Sequence, residues 1–127
     1  MKLSELFRKL RLGRDTDEPG ADTFRELTLD QMVPDRTPIG ECRLRGVCTV
    51  AGMIRAVRAR DYRGTESFEA TLADDTTDLD LVWVGRTSIH GISLGTTLRA
   101  KGTVSVIQDR LTMIDPSYTI LSGTYYE

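Results

Sequence analysis

Apolar and polar residues alternate along most of the second half of the chain, which is the pattern of half-buried β-strands. The alternation is clearest over Thr65–Ala73, Asp78–Gly85 and Thr96–Ile107. A longer run, Arg43–Arg60, is rich in valine and contains glycines, which favours a strand that bends sharply or carries a bulge. The last predicted strand, Arg110–Leu121, is interrupted by a proline. Five short strands separated by turn residues predict an all-β barrel or sandwich.

The parity of the alternation also predicts which side chains form the core. The predicted interior residues are Leu72, Leu81, Trp83, Leu98, Val104 and Met113. The residues predicted to face outward on the second and third strands are Glu69, Thr71, Asp80, Val82 and Val84. The predicted elements follow one another as a bent first strand, a meander, a short crossover segment and a closing hairpin. This is the order of a five-stranded Greek-key barrel, the OB-fold.

The chain before the strands divides into two segments. Leu3, Leu6, Phe7 and Leu10 have helical spacing with basic residues between them, so residues 1–12 are predicted to form a short amphipathic helix. This helix either packs on its own domain or docks on a partner or a membrane surface. Residues 13–40 contain prolines and scattered apolar positions, which predicts an acidic, flexible linker. The barrel is predicted to occupy residues 41–127.

Four stretches carry a resemblance to a known group of proteins. They are Val50–Ile54, Ala73–Arg86, Gly91–Gly95 and Asp115–Tyr118. With these motifs, residues 46–121 resemble a family of small stand-alone bacterial OB-fold proteins, and the pattern is similar to the OB-fold wedge domain of RecG-type helicases. The resemblance implies an OB-fold and at most a wedge-like role, because the helicase motor motifs are absent.

Composition limits the class of protein. The 127 residues are 39% hydrophobic and 28% charged, which suits one soluble domain held by packing alone. The longest apolar runs fall far short of the roughly 18 residues that cross a bilayer, and Met1–Leu12 lacks a secretory signal, so we expect a cytoplasmic protein. Cys42 and Cys48 have no further cysteines or histidines near them to complete a zinc site, and both are predicted to be reduced thiols.

Catalytic residues are scarce. His90 is the only histidine, and the chain has neither a nucleophile elbow nor a glycine-rich phosphate loop. We therefore expect no enzyme, no cofactor and no metal site.

Charge is distributed unevenly along the chain. Residues 1–14 carry five basic residues against one acidic residue, or +4, and residues 15–41 carry eight acidic against two basic residues, or −6. The isoelectric point near 5.5 argues against a strong, sequence-blind nucleic-acid binder but leaves room for a local basic patch.

Such a patch is predicted around the turn Asp61–Gly64 between the first two strands, and Gln108-Asp109 is predicted to form a tight turn between the last two. The candidate nucleic-acid-binding residues are Arg55, Arg58, Arg60, Tyr62, Arg63 and Arg110. Arginines and an aromatic ring beside a turn are the groups with which OB-folds hold single strands. The other interpretation is a solvated hairpin whose arginines pair with Glu66 or Asp61.

The predicted function is therefore a non-enzymatic module that binds single-stranded or junction DNA weakly, since Glu69 and Asp80 oppose phosphates on the same face. The alternative is a protein-interaction module that docks through the N-terminal helix or the barrel surface.

Overall fold

A computed structural model describes residues 29–122 of the chain. Its strands are β1 Val47–Tyr62, β2 Thr65–Ala73, β3 Asp78–Val84, β4 Thr97–Ile107, β5 Arg110–Ile114 and β6 Ser117–Ser122. A 3₁₀ helix, Ile39–Glu41, precedes β1, and residues 29–32 are helical. The predicted amphipathic helix over residues 1–12 and residues 13–28 of the predicted linker lie outside the described residues.

Five strands close into a ring. β1 pairs with β2, β2 with β3, β5 with β4 and β4 with β1, all antiparallel, and the ring closes where β3 runs parallel to β5. β6 continues β5 along β4 after an interruption at Asp115 and Pro116. The predicted all-β barrel is confirmed, including the proline break in its last strand.

The long first strand pairs with two other strands of the barrel. β1 pairs with β4 through Val47–Met53 and with β2 through Met53–Tyr62, with a register shift between Ile54 and Ala56. A Cβ at Gly52 would overlap the carbonyl oxygen of Ala73, so only glycine allows this close approach of the two strands. Of the predicted bend or bulge, the bulge corresponds to the register shift between Ile54 and Ala56.

Two tight hairpins join β1 to β2 and β4 to β5. Arg63 and Gly64 have φ angles of 53° and 82°, and Gln108 and Asp109 have 53° and 66°. Positive φ at both central residues is the type I′ turn, whose twist matches that of the flanking strands. The predicted tight turn at Gln108-Asp109 is confirmed, whereas the turn predicted over Asp61–Gly64 is shorter, because Asp61 and Tyr62 still pair within β1.

The core contains all six residues that alternation assigned to it, each between 0% and 6% exposed. Trp83 lies among them, and its indole N–H donates a hydrogen bond to the carbonyl oxygen of Pro116 at 3.2 Å. The ring of Tyr118 meets Trp83 edge to face, with ring centroids 5.6 Å apart. A buried indole is stable because its one polar group has a partner.

Residues 29–40, predicted as part of a flexible linker, pack on the barrel instead. Leu29 and Val33 cover Ala51 on the outside of β1, and Ile39 is part of the main core. The buried carboxylate of Asp74 accepts a hydrogen bond from the backbone N–H of Ile39 at 2.8 Å. Leu29 and Val33 have the i, i+4 spacing of a helix, but a single such pair among prolines and acidic residues is too short a pattern to predict burial.

The two cysteines form a disulfide rather than the predicted pair of reduced thiols. Cys42 follows the 3₁₀ helix and Cys48 lies in β1, so they do not share a strand. Their Cα atoms are 6.1 Å apart, within the range that a disulfide spans. The bond ties the segment that carries Ile39 to the first strand.

Candidate functional site

Charged residues from four strands meet on one outer face of the barrel. Arg58 and Arg60 lie on β1, Glu69 on β2, Asp80 on β3 and Arg110 on β5. The β1–β2 register places Arg58 opposite Glu69, and a separate parallel pairing brings β3 beside β5. Because side chains alternate between the two faces of a strand, these five point outward together. They are termed the arginine face below.

Glu69 is the centre of one half of the arginine face. Its side chain is fully buried, and its two carboxylate oxygens accept hydrogen bonds from different arginines. Nη1 of Arg60 lies 2.7 Å from Oε1, and Nη2 of Arg58 contacts Oε2. A buried carboxylate requires such partners, since an unpaired charge away from water is strongly unfavourable.

Asp80 is the centre of the other half of the arginine face. Arg110 donates to both of its oxygens, through Nε at 2.6 Å and Nη2 at 3.0 Å, which is the strong bidentate geometry of guanidinium and carboxylate. The hydroxyl of Thr71 donates to Oδ1 at 2.9 Å. Arg58 reaches across from the first half, with Nη2 3.7 Å from the same oxygen, so the two halves form one network.

The surroundings of Asp80 change its acidity. Burial acts to raise the pKa of Asp80, but the hydrogen bonds from Arg110 and Thr71 and the charges of Arg110 and Arg58 together outweigh it, so this pKa lies below its usual value. The same hydrogen bond raises the pKa of Arg110. Both groups are therefore charged throughout the physiological range.

The outward direction predicted for Glu69, Thr71, Asp80 and Val82 is correct, but these residues are only 0–3% exposed. Arginines on this face do form ion pairs, with Glu69 and Asp80 rather than with Glu66 or Asp61. Three guanidinium groups against two carboxylates leave the arginine face with a formal charge of +1. The positive groups remain partly accessible, with side-chain exposures of 40% for Arg58, 25% for Arg60 and 45% for Arg110.

The tips of the two hairpins form a cleft beside the arginine face. It has a volume of about 230 Å³ and is lined by Arg60, Asp61, Tyr62, Arg63, Ile107 and Gln108. Nη2 of Arg60 donates to Oε1 of Gln108, which joins the two hairpins. The guanidinium carbon of Arg63 lies 5.4 Å from the centroid of the Tyr62 ring, a cation–π distance. This hairpin cleft thus combines an aromatic ring with two positive groups.

Among the predicted site residues, Arg58, Arg60 and Arg110 share the arginine face, and Tyr62 and Arg63 lie with Arg60 at the hairpin cleft. Arg55 makes a separate ion pair, 3.4 Å from Asp78 at the start of β3. Gln108 was absent from the prediction although it contacts Arg60. Its place in a predicted turn was visible in the sequence, but the proximity of the two turns was not.

Within residues 29–122, no three histidine, cysteine, aspartate or glutamate side chains are grouped so that they could hold a metal ion. None of the helices in this described part is long and apolar enough to cross a membrane.

Comparison with known proteins gives matches in structure alone. No protein-family model matches the chain, and no curated protein matches its sequence. A domain of replication protein A from Methanococcus maripaludis superposes with a TM-score of 0.58 at 14% identity, over 69% of this chain and 97% of that one. The OB domain of a Thermoplasma acidophilum protein gives 0.54 at 14% identity, over 68% of this chain and 87% of that one. The barrel is an OB-fold.

A third similar structure is the replication factor A related protein from Methanobacterium thermoautotrophicum. Its TM-score is 0.55 at 15% identity, and the match covers 68% of this chain and 90% of that one. The predicted fold class is confirmed. Within this OB-fold, the first, second, third and fifth strands carry the arginine face, and the β1–β2 and β4–β5 hairpins form the cleft.

Proposed function

We propose that the chain is a non-enzymatic OB-fold module that binds single-stranded nucleic acid weakly, as free single-stranded DNA or as a strand exposed at a junction. The observation that carries the proposal is the position of the hairpin cleft beside the arginine face. OB-folds bind oligonucleotides on the face of their second and third strands and at these two hairpins. The similarity to replication protein A domains supports the same class of ligand.

The chemistry of the two surfaces suits different parts of a strand. The partly exposed guanidinium groups of Arg58, Arg60 and Arg110 suit phosphates, because arginine binds phosphate oxygens through paired donors. The ring of Tyr62 offers a base one stacking partner, worth about 1–3 kcal/mol. A formal charge of only +1 on the arginine face limits phosphate attraction, so the expected affinity is micromolar.

A titration by fluorescence anisotropy tests this proposal. The probe is a labelled oligothymidylate of about 15 nucleotides, measured between about 50 and 200 mM salt. Contacts to about three phosphates on a single strand should give a log–log salt slope near −2. A matched duplex should bind more weakly. An affinity independent of salt would contradict phosphate contact.

The contribution of the hairpin cleft is tested at Tyr62. Tyr62→Ala removes the stacking ring and should weaken binding by about 5- to 150-fold, which corresponds to 1–3 kcal/mol. Tyr62→Phe keeps the ring and should bind like the unaltered chain. Equal binding by all three proteins would place the strand away from this cleft.

A protein-interaction module is the second candidate. The ion pairs within the arginine face favour it, since they occupy much of the positive charge that a strand would need. The predicted amphipathic helix over residues 1–12 supports docking on a partner or a membrane surface, and the wedge-like role rests on the sequence resemblance alone. A flat titration with the oligonucleotide would leave this candidate as the leading one.

A further inference from the structure

We propose that the buried carboxylates of Glu69 and Asp80 are internal competitors for nucleic acid: they hold Arg58, Arg60 and Arg110 against the barrel and thereby set the affinity of the arginine face. This inference rests on the proposed function and adds to it a means by which the chain limits its own binding.

The two carboxylates lie beneath the arginines that pair with them. Glu69 is fully buried and Asp80 is 1% exposed, although both lie on the outer face of the sheet. The side chains that pair with them come from β1 and β5 and lie above them, nearer the solvent. The carboxylates therefore act from beneath the arginines, where a phosphate of an arriving strand does not reach.

The internal ion pairs use the same guanidinium donors that would bind a phosphate. A carboxylate and a phosphate present similar oxygen pairs to a guanidinium group, and arginine binds both in the same bidentate manner. The donors committed to Glu69 are Nη1 of Arg60 and Nη2 of Arg58, and those committed to Asp80 are Nε and Nη2 of Arg110. Donors used inside the protein are not available to a strand, so each internal bond lowers the number of phosphates that the face can hold.

The arginines keep part of their surface in contact with water. Arg58 and Arg110 are 40% and 45% exposed, so loss of a carboxylate leaves each of them in contact with water rather than trapped in the core. Removing the carboxylate charge should free the arginines without burying an unpaired cation. Loss of a negative charge at Glu69 or Asp80 is therefore expected to increase the affinity of the arginine face for a single strand.

Two single variants test the inference. Glu69→Gln and Asp80→Asn keep the size of the side chain and remove its charge. In the anisotropy titration with oligothymidylate, each should bind about tenfold more tightly near 50 mM salt, and its salt slope should be steeper by about 0.7 for each additional phosphate that the face holds. Circular dichroism and thermal unfolding establish that each variant is folded, and either one alone suffices if the other does not fold.

Glu66→Gln is the matched control. Glu66 also lies on β2, is exposed, and forms no ion pair with any of residues 29–122, so this variant makes the same change in net charge without releasing an arginine. Arg58→Ala in the Glu69→Gln background should remove most of the increase in affinity, since the freed arginine is then absent. Tightening by Glu66→Gln equal to that of Glu69→Gln would overturn the inference in favour of a general charge effect.

Two further outcomes distinguish competition by Glu69 and Asp80 from the proposed binding of single-stranded nucleic acid. Salt-sensitive binding by the unaltered chain that neither Glu69→Gln nor Asp80→Asn increases would overturn the competition and leave the proposed function standing. Absence of salt-sensitive binding by the unaltered chain and by every variant would overturn both the competition and the proposed function.

Discussion

At the scale of single residues, the arginine face depends on two charges that are buried on the outside of a sheet. Glu69 and Asp80 are removed from water by the arginines that neutralise them, rather than by apolar neighbours alone. Removing an arginine is costly because the buried carboxylate that it neutralises then remains unpaired. Each arginine is therefore part of the fold as well as a candidate ligand contact.

The lowered pKa of Asp80 predicts an acid-sensitive contribution to stability. The unfolded chain binds the proton of this carboxyl near its usual pKa of about 3.9, whereas the folded chain binds it only at lower pH. The contribution is therefore complete above about pH 4 and is lost as the pH falls through the folded value. Asp80→Asn should lower the free energy of unfolding at neutral pH, and its difference from the unaltered chain should shrink on acidification.

Urea unfolding at several pH values measures this difference. Asp61→Asn is the control, because Asp61 is exposed and has no ion pair within the described residues. A difference between Asp80→Asn and the unaltered chain that stays constant from neutral pH to below about pH 3 would show that Asp80 is not held in its charged form by the network.

At the scale of elements, the segment before β1 is joined to the barrel by the disulfide and by packing. Cys42 and Cys48 are six residues apart, so the bond closes a small loop beside the buried Ile39. Cross-linking so short a loop restricts the unfolded chain by about 2 kcal/mol on the loop-entropy model. The disulfide is thus expected to support the position of the segment more than to hold the barrel together.

Reduction tests this expectation. Dithiothreitol should lower the free energy of unfolding by about 2 kcal/mol while the β-sheet signal in circular dichroism remains. The Cys42→Ser, Cys48→Ser double variant should reproduce the loss without reductant and show no further response to it. A barrel that loses its cooperative transition on reduction would show that the ring itself depends on this bond.

The strands and their order in the barrel could be predicted from the sequence, whereas the side-chain partners on its outer face could not. Alternation and turn chemistry are local, so they place Trp83 and Leu81 in the core and Gln108 and Asp109 in a turn. The pairing of Glu69 with Arg60 depends on the β1–β2 register and on side-chain reach. The proximity of Arg110 to Asp80 requires the parallel contact of β3 with β5, across about thirty residues of sequence. The side-chain contacts that follow from such a non-local pairing leave no pattern in a single sequence.

At the scale of the whole molecule, the folded unit begins before the barrel. Leu29 and Val33 are 6% and 3% exposed, and Arg36 lies 3.5 Å from the buried carboxylate of Asp74. The chain that starts at residue 29 retains all of these contacts, and the chain that starts at residue 39 loses them and uncovers Ala51. The two truncations should therefore differ in stability.

Deletion of residues 1–28 should leave the free energy of unfolding close to that of the whole chain. Deletion of residues 1–38 should lower it by several kcal/mol, since burial of one large aliphatic side chain contributes about 1.5–3 kcal/mol and Asp74 loses its arginine. Thermal and urea unfolding of both truncated chains measure the difference. Equal stability of the two would show that residues 29–38 contribute nothing to the fold.

The parallel contact between β3 and β5 also determines when the protein is vulnerable during its own synthesis. Chains are made from the N-terminus, and β5 is the last strand of the ring to be translated. Until Arg110–Ile114 has left the ribosome, β3 and β4 each present an edge of unpaired backbone groups, which is the kind of edge that other chains extend into aggregates. The nascent barrel therefore passes through an open, aggregation-prone stage that its finished surface does not reveal, and this stage ends when the five-residue strand Arg110–Ile114 pairs with both edges.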